Sequence, residues 1–223
     1  MRARLLSKDK SVNTLTYETA PTTEDRLSPP LPWPSGARRT AAACRGVGTG
    51  SGAPARGPWG VVTSYRLTFV CLGNICRSPM AEAVMRRRLD DAGLARTVVV
   101  DSAGTGDWHL GDDADRRAKA ALASRGYDLT HTARQFQASW FPERDLVVAM
   151  DDDNRRDLRR LARQSADREK IHLLRSFDPA ATELDVPDPY YGDAQGFVHV
   201  LDIIETACDG LLAHLRGGLG VIT

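Results

Sequence analysis

Apolar positions along this chain alternate between two kinds of run. Arg66 to Leu72 (RLTFVCL) is β-rich and closes on Gly73-Asn74. Ser78 to Gly93 then carries Ala81, Ala83, Val84, Met85 and Leu89 at roughly helical spacing, with Pro79 where a first helical turn tolerates it. Thr97 to Val100 is a β-branched run that ends at Asp101-Ser102-Ala103-Gly104. Asp113 to Arg125 reads as a helix stopped by Gly126, and Asp145 to Met150 (DLVVAM) as a buried strand. Asp152 to Gln164 is helical, with acids early and arginines late, as the helix dipole favours. Lys170 to Leu174 is a short strand. Phe197 to Arg216 places Phe197, Leu201, Ile204, Ala207, Cys208, Leu211 and Leu215 on one helical stripe. Strands alternating with helices predict an α/β fold built on a parallel sheet. Continuous apolar strands predict helices on both faces of it. Such sheets bind ligands beyond the carboxyl ends of their strands, which directs attention to the loop after the first strand.

Composition changes this picture at one end. Of 223 residues, 42% are hydrophobic and 26% charged, as in ordinary globular proteins. No apolar run approaches the roughly 20 residues of a membrane span, so no membrane partner is expected. Four cysteines in such a length make no disulfide scaffold. The net charge of +1 excludes a strongly basic nucleic-acid binder, but it averages two unlike parts. Residues 1–64 hold nine Lys/Arg, four Asp/Glu and seven of the twelve prolines; residues 65–223 hold 21 Lys/Arg and 25 Asp/Glu. The expected organisation is a disordered, low-complexity extension over 1–64 and one folded domain over 65–223. Pro29 to Pro34 (PPLPWP) reads as solvated linker rather than a polyproline II ligand. The start lacks the apolar stretch of a signal peptide. The same break in composition is what a natural start near Val61 or Val62 would produce; an intact mass of the natural protein beginning at Met1 excludes that start.

The loop after the first strand reads Val70-Cys71-Leu72-Gly73-Asn74-Ile75-Cys76-Arg77-Ser78-Pro79. A tight turn from a strand into a helix directs successive N–H groups inward as an anion nest, and the helix adds its positive end. Gly73 and Asn74 are residue types that tolerate left-handed backbone. Arg77 offers a planar fork matched to two phosphate oxygens. Cys71, at the base of this field, is expected to ionise below the ordinary thiol value of ~8.5 and act as a nucleophile. Zinc is the other reading of Cys71 with Cys76, but no second Cys/His pair follows at finger spacing, so no metal is expected. Phosphoryl transfer to a thiol also needs a proton donor for the leaving group. Asp188 stands in a Pro-stiffened stretch, Asp185 to Tyr191, next to two tyrosines that offer aromatic walls.

These residues resemble the low-molecular-weight protein tyrosine phosphatase family, bacterial type. The resemblance spans 66–216 and rests on Val70 to Pro79, Val100 to Ala103, His131 to Gln135, Met150-Asp151 and Asp188 to Gly192. It implies a four-stranded parallel sheet and cofactor-free hydrolysis of phosphotyrosine in proteins or peptides through a phosphocysteine. By position, the resemblance implies Cys71 as nucleophile, Arg77 as phosphate binder and Asp188 as general acid, then base. Leu72, Gly73, Asn74, Ile75 and Cys76 form the phosphate loop. Ser78 eases thiolate departure, and Asn74, Ser102 and His131 hold the loop in shape. Trp108, Tyr190 and Tyr191 wall the substrate cleft.

Three other functions share this scaffold or site. An arsenate reductase needs two further relay cysteines, yet none occurs between Cys76 and Cys208. An arginine phosphatase resembles this fold with Thr where Ile75 stands; Ile75 offers an apolar wall instead. A non-catalytic phosphotyrosine-binding module needs a broken triad, whereas Cys71, Arg77 and Asp188 are all present. Cys76 could also join Cys71 in a reversible, protective disulfide; a buried small apolar residue is the alternative reading. A free-thiol nucleophile fits a cytoplasmic, reducing setting, with export left open, and monomer is the default.

Overall fold

A computed structural model describes residues 64–220. The expectations for the extension, including its disorder, lie outside the described residues. The elements run β1 (Tyr65–Cys71), α1 (Arg77–Asp91), β2 (Val98–Gly104), α2 (Arg116–Ser124), β3 (Leu146–Ala149), α3 (Asp152–Leu161), α4 (Ser165–Arg168), β4 (Ile171–Leu173) and α5 (Ala194–Leu219).

The four strands are parallel, in the order β2-β1-β3-β4. The chain leaves β1 toward β2 on one side and later returns to its other side with β3. The topological switch point therefore lies at the carboxyl end of β1, where Cys71 stands. Register sets Phe69 beside Ser102 and Cys71 beside Gly104 on one flank, and Phe69 beside Val148 on the other. Period-two alternation sends Leu67, Phe69, Leu146 and Val148 to one face, where Met80, Val84, Phe197, Leu201 and Ile204 of α1 and α5 cover them. Val70, Ala103, Val147 and Ala149 point the other way, onto Phe136, Phe141 and Leu158. Each fully buried Leu, Ile or Phe in these layers contributes about 1.5–3 kcal/mol of transfer free energy, so the sheet is held from both sides.

Several element ends differ from the sequence expectation. β2 continues through Asp101-Ser102-Ala103-Gly104 rather than turning there. Asp101 is tolerated in the strand because Thr68 Oγ1 donates to it at 2.5 Å and Arg134 and Arg144 pair with it at 3.0 and 3.1 Å. α2 starts at Arg116, since Asp115 caps it by accepting from the Arg117 amide at 2.8 Å. α3 stops at Leu161, and one further turn, α4, follows. α5 begins three residues early, at Ala194, capped by Asp193, and ends on left-handed Gly220 at φ +67°. Two 3-10 turns, Ala138–Glu143 and Leu174–Phe177, had no periodic signal. At Gly210 of α5 a Cβ would lie 2.0 Å from the Phe177 carbonyl oxygen, so only glycine lets the second turn pack there. Among the described residues no helix is long and apolar enough to cross a membrane.

Candidate active site

Every part of the site hangs from the carboxyl edge of the sheet. β1 delivers Cys71, whose thiol is buried. Its Sγ lies 3.0 Å from Ser78 Oγ and accepts the Asn74 amide at 3.3 Å. The loop then curls through Asn74, at φ +55° the one non-glycine residue in the left-handed region among the described residues. Asn74 is fixed on three sides. Its Nδ2 donates to Ser78 Oγ and Ser102 Oγ, both at 2.9 Å, and its Oδ1 accepts the Arg134 amide at 2.9 Å. His131 Nε2 donates to the Asn74 carbonyl at 2.6 Å, which assigns the proton to that nitrogen. Burial holds the His131 imidazole below the ordinary histidine value, a shift partly opposed by that hydrogen bond and by Glu82.

Gly73 was expected to share the left-handed curl, and it does not. Its smallness serves spacing instead, because a Cβ there would sit 3.0 Å from His109 Cδ2. Gly104, opposite on β2, is tighter: a Cβ would meet Leu72 O at 2.7 Å and Asn74 N at 3.1 Å. The loop can lie on β2 only because that position lacks a side chain.

No side chain caps α1, so none competes with an anion at the positive end of the helix. Arg77, the first residue of α1, is 3% exposed. Its Nη1 donates to Asp151 Oδ2 at 2.6 Å and to the Val186 carbonyl at 3.1 Å, and its Nη2 to Asp188 Oδ2 at 2.6 Å. Burial works against its charge, but Cys71, Asp188 and Asp151 more than offset this and hold its pKa above the ordinary value. Asp188 faces the same space from its own loop, exposed, with Oδ1 accepting the Tyr190 amide at 3.1 Å.

A cleft of about 320 Å³ opens over these groups. Of the residues expected from sequence, Cys71, Leu72, Gly73, Ile75, Cys76, Arg77, Asp188, Trp108, Tyr190 and Tyr191 line it. Trp108 and Tyr191 stand at its rim, 70% and 97% exposed, so they are surfaces awaiting contact rather than buried walls. Asn74, Ser78, Ser102 and His131 do not line it; they brace the loop from behind. Ser102 and His131 face a second cleft of about 370 Å³. Burial first, then the negative charge of Asp115, Cys71 and Asp188, pushes the Cys76 thiol well up, so it does not compete as a thiolate. Cys208 is core, as its place on the α5 stripe implied.

Sequence reasoning overlooked Asp151, His109 and Arg134 as site residues. Asp151 anchors Arg77 and also caps α3, accepting the Asn154 amide at 2.7 Å. It stands just past β3, and its place at a strand's carboxyl end was the available signal; three consecutive aspartates disguised it as a helix start. His109 lines the cleft and is held by Asp112 at 3.0 Å.

A thiol at the base of a five-residue anion loop, closed by a buried arginine and faced by a carboxylate, is the equipment of a cysteine-dependent phosphatase. The profile of the family "Low molecular weight phosphotyrosine protein phosphatase" matches residues 66–218. A low molecular weight protein-tyrosine-phosphatase of Streptomyces coelicolor is 59% identical over 155 residues, covering 69% of this chain and 94% of that one. Low molecular weight protein-tyrosine phosphatase A of Mycobacterium tuberculosis is 47% identical, covering 65% and 88%. The crystal structure of a protein tyrosine phosphatase from Entamoeba histolytica superposes with a TM-score of 0.67 at 41% identity, covering 70% of this chain and 99% of that one. This chain belongs to the low molecular weight phosphotyrosine protein phosphatase family. The Drosophila arginine phosphatase also shares the fold, with a TM-score of 0.63 at 31% identity over 67% of this chain and 97% of that one. The fold therefore leaves the choice of phosphorylated side chain to the cleft.

Proposed function

We propose that this protein-tyrosine phosphatase hydrolyses phosphotyrosine in proteins or peptides, with Cys71, Arg77 and Asp188 as its catalytic residues. One observation carries the reading: residues 111 apart in the chain, Arg77 and Asp188, meet within 2.6 Å of each other in the cleft that Cys71 floors.

In the unliganded site Asp188 lends its carboxylate to Arg77. An incoming phosphate takes over that edge of the guanidinium and the loop amides, releasing Asp188 toward the leaving group. The Cys71 thiolate attacks phosphorus in line with the phenolic oxygen. Asp188, freed from Arg77, takes up a proton from water, and as the S–P bond forms and the P–O bond breaks it donates that proton to the departing phenoxide. Water then attacks the phosphocysteine. Asp188, now a carboxylate, accepts the water's proton, inorganic phosphate leaves, and the electron pair of the S–P bond returns to sulfur. Ser78 Oγ, 3.0 Å from Sγ, donates to that returning thiolate. Arg77 and the loop amides stabilise the phosphoryl charge throughout, and because they are already in place they cost no reorganisation in the transition state.

Ile75 favours a phenyl ring over a guanidino group, being an apolar wall in a cleft otherwise rimmed by Trp108, His109, Tyr190 and Tyr191. Among the described residues, those assigned a role lie between Cys71 and Tyr191. The catalytic domain is accordingly 65–223, and the basic segment 1–64 takes no part in the chemistry. We take the protein to be a monomer, and a working thiol suits a reducing, cytoplasmic setting.

A phosphopeptide panel with pTyr, pSer, pThr and pArg tests the reading. Phosphotyrosine turnover that is lost in Cys71→Ser and reduced in Asp188→Asn is expected. Dominant turnover of another phosphorylated residue, or undiminished turnover by Cys71→Ser, overturns it.

A further inference from the structure

We infer that Arg117 is a positioning residue of the reaction: it sets the loop that carries Asp188 at a fixed reach from the loop that carries Cys71. The inference rests on the catalytic reading of Asp188 given above. Arg117 lies in the first turn of α2, outside the cleft lining. Its Nη1 donates to the Gly192 carbonyl at 2.8 Å and its Nη2 to the Tyr190 carbonyl at 3.0 Å. The same guanidinium donates back to Asp115, from Nε at 3.1 Å and Nη2 at 2.8 Å. Its plane lies 4.5 Å from the centre of the buried Phe197 ring of α5 and 5.9 Å from that of Tyr190. The Asp115 amide in turn donates to the Ile75 carbonyl at 2.8 Å, within the catalytic loop. Asp115 and Arg117 thus form one rigid unit with a hand on each loop.

The rest of the acid loop's attachment shows why this matters. Its entry is well tied: Asp185 accepts the Asp152 amide and its carbonyl accepts from Arg175, while Val186 exchanges bonds with Met150 and Arg77. Beyond Val186, among the described residues, two arginines hydrogen-bond this loop to the rest of the fold, Arg77 at Asp188 and Arg117 at Tyr190 and Gly192. Substrate phosphate claims the edge of Arg77 that Asp188 holds. During the chemical step Arg117 is then the hydrogen-bonding anchor that remains. A planar fork with several donors can hold two carbonyls and a carboxylate together, which a lysine ammonium on a flexible stem cannot do in fixed geometry.

The test reads how kcat/KM depends on the leaving group across aryl phosphates from 2,4-dinitrophenyl to phenyl. A misplaced proton donor harms poor leaving groups and spares good ones. Arg117→Met keeps apolar packing on Phe197 and removes the fork; Arg117→Lys keeps the charge. Both are compared with wild type, with Asp188→Asn and with Arg117→Met in the Asp188→Asn background. The expected result is a loss of about 10²-fold on phenyl phosphate with less than about 3-fold on the dinitrophenyl ester, a smaller loss in Arg117→Lys, and no further loss in the double variant. Equal losses along the whole series, or a further loss in the double variant, overturn the inference and leave Arg117 a structural residue. Should Arg117→Met lack a cooperative melt, Arg117→Lys alone is judged by the same two criteria. If Asp188→Asn does not itself steepen the dependence, it is the acid assignment that fails, and the role of Arg117 falls with it.

Discussion

Replacing Asn74 separates two contributions that the native residue combines. Alanine and glycine both remove the side chain, and with it three hydrogen bonds of 2.9 Å, to Ser78, Ser102 and the Arg134 amide. At about 1 kcal/mol net for each, either variant is expected to lose about 3 kcal/mol. They part at the backbone, which sits at φ +55°. An alanine there carries about 1–2 kcal/mol of left-handed strain, and glycine carries none. Glycine's larger freedom in the unfolded chain returns about 0.4–1 kcal/mol of that difference. Asn74→Ala should therefore be less stable than Asn74→Gly by about 0.8 kcal/mol, the reverse of the order alanine and glycine show in ordinary backbone. Urea denaturation of the full chain, followed by tryptophan fluorescence and compared at constant m-value, measures this directly. An Asn74→Ala protein as stable as Asn74→Gly would refute the claim that left-handed geometry selects this residue. A loss well below 1 kcal/mol in both would refute the hydrogen-bond assignment instead.

Three further outcomes are expected. Gly104→Ala forces a Cβ to within 2.7 Å of the Leu72 carbonyl oxygen, so it should lower both stability, by about 1–3 kcal/mol, and turnover; Gly210→Ala, 2.0 Å from the Phe177 carbonyl oxygen, should lower stability while turnover per folded molecule is kept. Thermal melts paired with active-site titration distinguish them, and identical behaviour of the two variants would count against the reading of Gly104. At Asp151, alanine removes both the α3 cap, about 1 kcal/mol, and the anchor of Arg77, about 1.5–3 kcal/mol, whereas asparagine keeps the cap and a neutral acceptor; Asp151→Asn should be clearly more stable and more active than Asp151→Ala. Burial holds His131, His172 and His214 below the ordinary histidine value, with His214, Arg159 and Arg155 adding to the effect at His172. The unfolded chain then takes up protons first, so stability is full above about pH 6.5 and is lost as pH falls below it toward the folded values. Urea midpoints should decline on that side, and less steeply in a His172→Gln, His214→Gln double variant. A midpoint that rises on acidification would reverse the sign of this linkage.

The alternation of strand and helix was readable because each element carries an apolar run or stripe that local physics interprets. The candidate anion loop was readable because its residues are contiguous in sequence, from Cys71 to Ser78. What escaped depends on partners far along the chain. Asp101 to Gly104 lies past the β-branched run and shows as strand only once Thr68, Arg134 and Arg144 are placed beside Asp101. Gly104 has no sequence mark that distinguishes it from a turn glycine; its necessity comes from the Leu72 backbone lying against it. Asp151 entered only within the Met150-Asp151 stretch, because its bond to Arg77 joins residues 74 apart in the chain. Arg117 drew no reading from the sequence, since nothing local announces that two carbonyls of the 190–192 stretch end within its reach. Both 3-10 turns are stabilised by packing of Phe141, Leu174 and Phe177 rather than by any repeating pattern.

The spread of the site along the chain has a consequence for biosynthesis. The middle of the sheet closes only when β1 meets β3; the Arg66 amide and its Asp145 partner there are 79 residues apart, and the Arg77–Asp188 contact spans 111. Pairings this distant form late and slowly, because the loop-closure entropy must be met before they return any energy. The face of the sheet bearing Leu67 and Phe69 is only partly covered, by α1, until α5, the last described element, has left the ribosome. During translation Cys71 is therefore an ordinary cysteine in an unfinished strand, without its loop and without Arg77 or Asp188 nearby. A nascent chain truncated anywhere before α5 should bind no phosphate and turn over none, so the emerging protein cannot act on phosphoproteins before it is complete.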